Sequence, residues 1–462
     1  MASMLVGCTP WPEEFVDRYW AAGHWRGDTL DGLLRGWALQ YGPRTALVHG
    51  EARLTYAALN RRVDRMAAGF RLRGLRAGQR VVVQLPNVPE FVITVFALMR
   101  AGAIPALCPL SHRAPEVSHL VHVTQAVGYV GPSTHRGFDH TAMVANIAAQ
   151  EPFLRQVFTF EAPGATSPYG GLTTDPSGCL HSPLESIDAP PGPALAQSAD
   201  QVAFLLHSGG GTTASQFVPR THNDYAYQAR AAAELVSLTE NDVYLAALPA
   251  ELNLTFGCPG IVGVLSAGGT VVLVENPGPV ECLPVIAREK VTITSVSPGV
   301  ARLWLDAFPT VRTDLSTLRL VQVGGAPLPR ATAARIGPAW GCRLQQVFGA
   351  AEGPLVLTRP GDPDETVLMG RGRPLSPDDE IRIVDAEGKD VPDTEPGELL
   401  ARGPYTLRGY YRAPDHNARS FTTDGYFRTG HRAQRTPHGD LMVTGRIKDV
   451  PRQADHEDPP DR

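Results

Sequence analysis

The run Leu205-Leu206-His207-Ser208-Gly209-Gly210-Gly211-Thr212-Thr213-Ala214-Ser215-Gln216-Phe217-Val218-Pro219-Arg220-Thr221-His222 decides how the rest of the chain is read. The apolar residues 202–206 read as a buried strand, and three glycines and the hydroxyls of Ser208, Thr212, Thr213 and Ser215 follow at once. Glycines admit positive φ and let successive N–H groups converge on an anion, so this composition suits a polyphosphate. It also suits a glycine-rich hairpin or linker. The pattern G-x-x-x-x-G-K-[ST] is absent, so the loop is not of the Walker type. Phosphate loops ordinarily carry a Lys or Arg. Here Gln216 holds the candidate position, and the nearest cation is Arg220.

A chain of 462 residues exceeds one ordinary core, so two or three subdomains are expected. Hydrophobic content of 43% with 19% charged residues describes a globular protein, and a net charge of −5 gives no sign of a nucleic-acid surface. Six cysteines without C-x-x-C spacing argue against a zinc ribbon or disulfide framework and for a reducing, cytoplasmic setting. No signal segment opens the chain and no apolar run reaches membrane-spanning length, so neither nucleic acid nor membrane is an expected partner. Of the 42 basic residues only Lys290, Lys389 and Lys448 are lysines, and none lies near the glycine loop in sequence.

Working outward, residues 11–40 read as an aromatic-rich helical stretch. Residues 46–56 read as a hairpin turning at Gly50, with Thr55 capping a helix over 56–72. A strand over 79–85, a helix over 90–101 and a strand from 104 make a parallel βαβ unit. Residues 163–193, rich in Pro, Gly, Ser and Thr, read as an exposed connection. Beyond the glycine loop, a helix over 223–238 leads into alternating strands and helices up to a strand over 343–348. This order predicts an α/β fold of two doubly wound subdomains within residues 1–375, with ligands at the strand C-termini. Short strands separated by turns then predict a small β-rich subdomain over 376–449. Residues 450–462 hold almost nothing apolar and are expected to be a disordered tail.

Several loops together resemble one family. They are Leu54-Thr55-Tyr56, the glycine loop, Leu245-Ala246-Ala247-Leu248-Pro249, Val323-Gly324-Gly325-Ala326 and Gln345-Gln346-Val347-Phe348-Gly349-Ala350-Ala351-Glu352-Gly353. Further along come Gly397-Glu398-Leu399, Arg408-Gly409-Tyr410-Tyr411, Gly425-Tyr426-Phe427-Arg428-Thr429-Gly430 and Gly445-Arg446-Ile447-Lys448-Asp449. In this order they resemble the adenylate-forming superfamily, and within it the stand-alone enzymes that activate 2,3-dihydroxybenzoate or salicylate. The resemblance implies a two-step reaction. A carboxylate attacks the α-phosphate of ATP to give an acyl-adenylate and pyrophosphate, and a carrier-protein thiol then takes the acyl group.

It also implies roles for particular residues. Ser208, Gly209, Gly210, Gly211, Thr212 and Thr213 would wrap the phosphates, with Thr212 and Glu352 at the chemistry and Glu352 holding Mg²⁺. Gly324, Gly325, Val347, Phe348 and Gly349 would line the adenine slot, Arg446 and His431 would lie at the ribose, and Lys448 would be a hinge. Asn253, Cys258, Leu355 and Gly325 would form the aryl-acid pocket. Cys258 and Leu355 resemble the salicylate-type combination, because an apolar wall leaves a second ring hydroxyl without a partner. The same two residues also suit a plain core.

The departures fall at the chemistry. Gln216 stands where the family has a lysine, Thr213 where it has a glycine, and His431 where it has a ribose-binding aspartate. Leu252 and Leu254 replace an aromatic-pocket His and Tyr. The resemblance stops near Asp449, so the lysine-bearing C-terminal domain of the family is expected to be missing. Losing charge-assisted contacts of this kind costs about 10²–10³-fold each in rate. An impaired adenylating enzyme, a non-catalytic relative that binds aryl acid, nucleotide or a partner, and a product truncated by frameshift all remain open.

Overall fold

Successive strand residues face opposite sides of a sheet, and in this chain both sides are apolar. Tyr244 and Ala246 enter one core while Leu245 and Ala247 enter another. Val271 and Leu273 divide from Val272 and Val274 in the same way. A strand buried on both faces calls for helices on both sides of a parallel sheet. A computed structural model describes residues 4–162, 171–209 and 216–447, and its layers follow from this pattern.

The larger sheet has thirteen strands. Thr45–His49, Thr270–Leu273, Val243–Ala246, Ile293–Val296, Leu320–Gly324 and Arg343–Gly349 lie side by side and parallel. The sheet then continues antiparallel through Leu355–Leu357, Arg371–Pro374, Leu441–Arg446, Phe427–Arg435, Gly397–Arg402 and Glu380–Val384. The β-rich end of the chain is therefore hydrogen-bonded to the α/β part through Arg371–Pro374. The second sheet has eight strands, parallel at its centre and antiparallel at both edges.

Between the sheets run the helices Tyr56–Leu72 and Pro89–Arg100. Thr55 caps the first, its Oγ1 accepting from the N–H of Ala58. The second is buried along ten of its residues, including the charge of Arg100, which such burial permits only with partners. Its guanidinium donates to Asn60 Oδ1 (2.8 Å), Asp64 Oδ1 (2.9 Å) and Asp31 O (2.8 Å), tying three helices together. Helices Ala114–Thr124 and His140–Ala148 cover the outer face of the eight-stranded sheet. Pro279–Glu289, Pro298–Val311 and Arg330–Trp340 cover that of the larger one.

Two local expectations are corrected, and one strand is added where no element is assigned from the sequence. Residues 11–40 form two helices, Glu13–Ala21 and Leu30–Tyr41, because Gly23 and Gly27 take positive φ between them. The stretch after the glycine loop is a strand, Phe217–Thr221, antiparallel to Val202–His207. Pro219 argues against a strand, but this one is at the sheet edge, where a missing N–H costs no ladder bond. The supposed connection 163–193 contains the strands Thr173–Thr174 and Leu180–Pro183. Between them Asp175 Oδ1 accepts from Ser177 N, Ser177 Oγ and Cys179 N, and Oδ2 meets His181 Nε2 at 3.0 Å. Residues 163–170 and the expected tail, 450–462, lie outside the described residues.

Where the β-rich end meets the rest, Asp379 is buried against Tyr405 and Ser376, and burial raises its carboxyl to about 7. An unfolded Asp ionises near its ordinary pKa of about 4, so the native state holds the extra proton between there and 7. This group therefore adds stability at low pH that is lost as pH rises through that window. Asp379→Asn is expected to be more stable than wild type at pH 8 and to lose that advantage by pH 4. Urea unfolding of both proteins across the range checks it, and equal differences at both ends would contradict it.

Candidate active site

Leu320–Gly324 and Arg343–Gly349 are adjacent parallel strands, with Gly324 opposite Val347. A Cβ on Gly324 would stand 2.7 Å from the Val347 carbonyl, so only glycine lets the strands close. Gly325 turns away at φ +88 and faces open space where a side chain would be. Next along the second strand, the Phe348 ring meets His431 edge-on at 5.0 Å. His431 Nδ1 lies 2.9 Å from the Thr429 carbonyl, which can only accept, so Nδ1 carries a proton. His431 is also the register partner of Arg446 across two strands. The structure thus brings Val347, Phe348, His431 and Arg446 together from distant parts of the chain.

The other wall is apolar. Gly349 pairs with Leu355, and a Cβ on Gly349 would meet Leu355 Cδ2 at 2.4 Å. Leu355, Cys258 and Val347 belong to one buried cluster with Tyr227 and Tyr405, and Leu254 packs against it. Burial pushes the Cys258 thiol up to about 12, so it acts as a small apolar surface. Leu252 is 41% exposed and lies outside that cluster. Among the described residues all six cysteines are free thiols.

Asn253 is buried beside this wall. Its Oδ1 accepts from Gln228 Nε2 (3.0 Å), and its Nδ2 donates to Ala350 O (2.9 Å). Gln228 in turn accepts from Arg220 Nη2 at Oε1 (2.9 Å) and donates to Gly257 O (3.0 Å). Arg220 is completely buried; its Nε meets Asp224 Oδ1 at 2.8 Å, and Nη1 donates to Ala351 O at 3.3 Å. Asp224 caps helix His222–Leu235 through Thr221.

Two residues on, Glu352 is buried, and Tyr410 Oη donates to its Oε1 at 3.0 Å. Burial raises its pKa, opposed by the Tyr410 hydrogen bond and the charges of Arg220 and Arg446. The glycine loop leaves its hairpin through a closed neck, in which Ser208 N donates to Gln216 O (2.9 Å) and Gln216 N to Ser208 Oγ (3.3 Å). A Cβ on Gly209 would meet no described residue within 4 Å. Gly210, Gly211, Thr212, Thr213 and the hinge position Lys448 lie outside the described residues.

Sequence reasoning named Arg220 as the loop's nearest cation. Its donors are instead committed to Asp224, Gln228 and Ala351. Gln228 and Tyr410 had no role in that reading. The one available signal was the spacing 220, 224, 228, which aligns Asp224 and Gln228 on one face of the helix and lets them flank the arginine.

The chain belongs to the AMP-binding enzyme family, whose pattern matches residues 34–411. It is 43% identical over 446 residues to the 2,3-dihydroxybenzoate-AMP ligase of Bacillus subtilis, spanning 96% of this chain and 80% of that enzyme. Against the salicyl-AMP ligase/salicyl-S-ArCP synthetase of Mycobacterium tuberculosis it is 42% identical over 451 residues, 96% of this chain and 78% of the other. The apo structure of MbtA from Mycobacterium smegmatis superposes with a TM-score of 0.88 at 43% identity, covering 97% of this chain and 82% of that one. The adenylate-forming fold and the aryl-acid branch implied by the sequence are both supported by these relatives.

Gly324→Ala is expected to push the Leu320–Gly324 and Arg343–Gly349 strands apart, costing about 1–3 kcal/mol and weakening nucleotide binding. Gly325→Ala meets no neighbour but must hold φ +88, a strain of about 1–2 kcal/mol, so it is expected to lose stability as well yet keep more nucleotide affinity, because the strands stay together. Thermal unfolding and AMP titration of the two variants check the order.

Proposed function

We propose that this protein adenylates an aryl acid of the salicylate type, using ATP and releasing pyrophosphate. The observation that carries the reading is Asn253, an amide locked in place beside the apolar wall of Cys258, Leu355 and Val347. An ortho hydroxyl would meet the amide, while the ring would rest on the wall. Leu355 and Val347 offer a second hydroxyl no hydrogen bond, the Cys258 thiol only a weak one, and the Tyr227 and Tyr405 hydroxyls of the same cluster are committed to Ser376 and Asp379, so salicylate is preferred over 2,3-dihydroxybenzoate. The relatives supply the aryl-acid class: one is a 2,3-dihydroxybenzoate-AMP ligase and another a salicyl-AMP ligase.

In this reading Gly324, Gly325, Val347, Phe348 and Gly349 take the adenine, Arg446 and His431 face the ribose, and the loop from Ser208 to Thr213 wraps the phosphates. Glu352 offers one buried carboxylate to Mg²⁺, whose other ligands would be phosphate oxygens and water. A cation there would also oppose the burial that holds the Glu352 pKa up. The second half-reaction would hand the acyl group to an aryl carrier protein in siderophore or nonribosomal peptide synthesis, within a reducing cytoplasm. No described helix is long and apolar enough to cross a membrane.

A second reading, binding without turnover, rests on Gln216 and His431. Gln216 gives the phosphates no charge, Arg220 is committed elsewhere, and an imidazole cannot accept two ribose hydroxyls as a carboxylate does. Pyrophosphate exchange with a panel of aryl acids separates the two: slow salicylate-dependent exchange supports catalysis, while none with any acid, despite salicylate binding, supports the second.

Two further outcomes follow. Calorimetry is expected to give salicylate an advantage of about 1–2 kcal/mol over 2,3-dihydroxybenzoate, and the reverse order would reject the pocket assignment. Gln216→Lys combined with His431→Asp is expected to tighten ATP binding about tenfold or more. Tight ATP binding by the unmodified protein would show that neither position limits it.

A further inference from the structure

Amide groups are ambiguous because their oxygen and nitrogen can exchange places, yet here the chemistry of the neighbours removes the ambiguity. Arg220 has only donors, so Gln228 must offer it Oε1, which sends Nε2 toward Asn253. An NH₂ group only donates, so Asn253 must present Oδ1 to Gln228 and turn Nδ2 to the Ala350 carbonyl, which only accepts. A cation at one end and a carbonyl at the other fix both amides. Arg220 and Gln228 are fully buried and Asn253 is 8% exposed, so water does not compensate for a flipped amide at low cost.

We infer that Arg220 and Gln228 form a positioning relay that sets which atoms of Asn253 are left for the ligand, and so sets the preference for an ortho-oxygenated acid. The inference rests on the aryl-acid reading above. After its two internal bonds Asn253 keeps one N–H and one lone pair, the complement of an ortho hydroxyl, which both accepts and donates. Ala350 and Ala351 are held by the same relay, through Asn253 Nδ2 and Arg220 Nη1, so the acid site is in register with the segment that carries Glu352. Gln228 and Arg220 touch no reacting atom in this account; they act through Asn253.

Gln228→Glu tests it. The carboxylate keeps the length of the side chain and still accepts from Arg220, but it cannot donate to Asn253. The Asn253 amide must then turn over, which sets Oδ1 against the Ala350 carbonyl. Calorimetric titration of the full chain with salicylate and with benzoate reads the result as a ratio of dissociation constants. Wild type is expected to prefer salicylate by about tenfold, falling below about threefold in Gln228→Glu. A purely structural role would weaken both acids together and leave the ratio unchanged, and an unchanged ratio in a folded Gln228→Glu protein overturns the relay.

A second measurement needs no variant that must fold well. In the free wild-type protein the side-chain ¹⁵N–¹H₂ signal of Asn253, assigned through its bonded carbons to the backbone, is expected to be protected from solvent exchange and to shift with salicylate more than with benzoate. Rapid exchange of that amide in the free protein overturns the relay even if Gln228→Glu does not fold. If wild type binds neither acid, the aryl-acid reading falls, while the protection measurement still decides whether the amide is fixed.

Discussion

A buried guanidinium is the constraint on which this structure depends. Arg220 lies at the end of the glycine hairpin with none of its surface exposed, and a buried charge survives only where its donors are matched. Asp224, Gln228 and the Ala351 carbonyl match them. Those partners come from the helix after the hairpin and from the segment after the Arg343–Gly349 strand. Satisfying one cation therefore draws the eight-stranded sheet, the helix His222–Leu235 and the end of the thirteen-stranded sheet toward one point. Removing one partner would leave the charge uncompensated, a loss of about 3–5 kcal/mol for buried pairs. Asn253 is reached from this point through Gln228, and Glu352 through the neighbouring Ala351.

The layers themselves were legible from the repeated order of strand, loop and helix. Val81 and Val83 face the core shared by the sheets while Val82 faces the outer helices, so the strand reads as one apolar run, as a parallel sheet covered on both faces requires. Edges carry weaker signals. Pro219 disguised the strand Phe217–Thr221, since proline is incompatible with a central strand but acceptable at an edge. Thr173–Thr174 and Leu180–Pro183 were hidden because a Pro-, Gly- and Ser-rich composition speaks for turns, and the two strands are held by the Asp175 turn rather than by an apolar pattern.

At the site, the residues with a distinctive motif were visible and those acting through them were not. Gly324, Val347, Phe348, His431 and Arg446 each sit in a recognisable loop, and the sheet brings them together by register. Arg220 was visible only as a charge near a phosphate loop, an inference that sequence proximity favours and burial reverses. Gln228 carries no motif at all, and Tyr410 lies in a motif that by itself assigns it no role. Their importance lies in who faces them, and that information exists only once helix His222–Leu235 is laid across the strand ends. Cys258 and Leu355 could be read as pocket wall or as core, and the buried cluster they share with Val347 accommodates both descriptions.

In the proposed site His431 would face the ribose, where a carboxylate and an imidazole differ in what they can accept. A carboxylate offers two oxygens and several lone pairs, so it can take two neighbouring hydroxyls at once. The imidazole here has already committed Nδ1–H to the Thr429 carbonyl and packs near-perpendicular to the Phe348 ring. In the neutral ring with Nδ1 protonated, Nε2 is the accepting nitrogen and has a single lone pair in the ring plane. When the ring is protonated both nitrogens donate, and a ribose hydroxyl could then only accept from it. In the proposed site the adenine slot would keep its shape, because Phe348 and Gly324 are set by strand pairing, while the ribose would lack a divalent acceptor. Recognition of the base and of the sugar would then be separable.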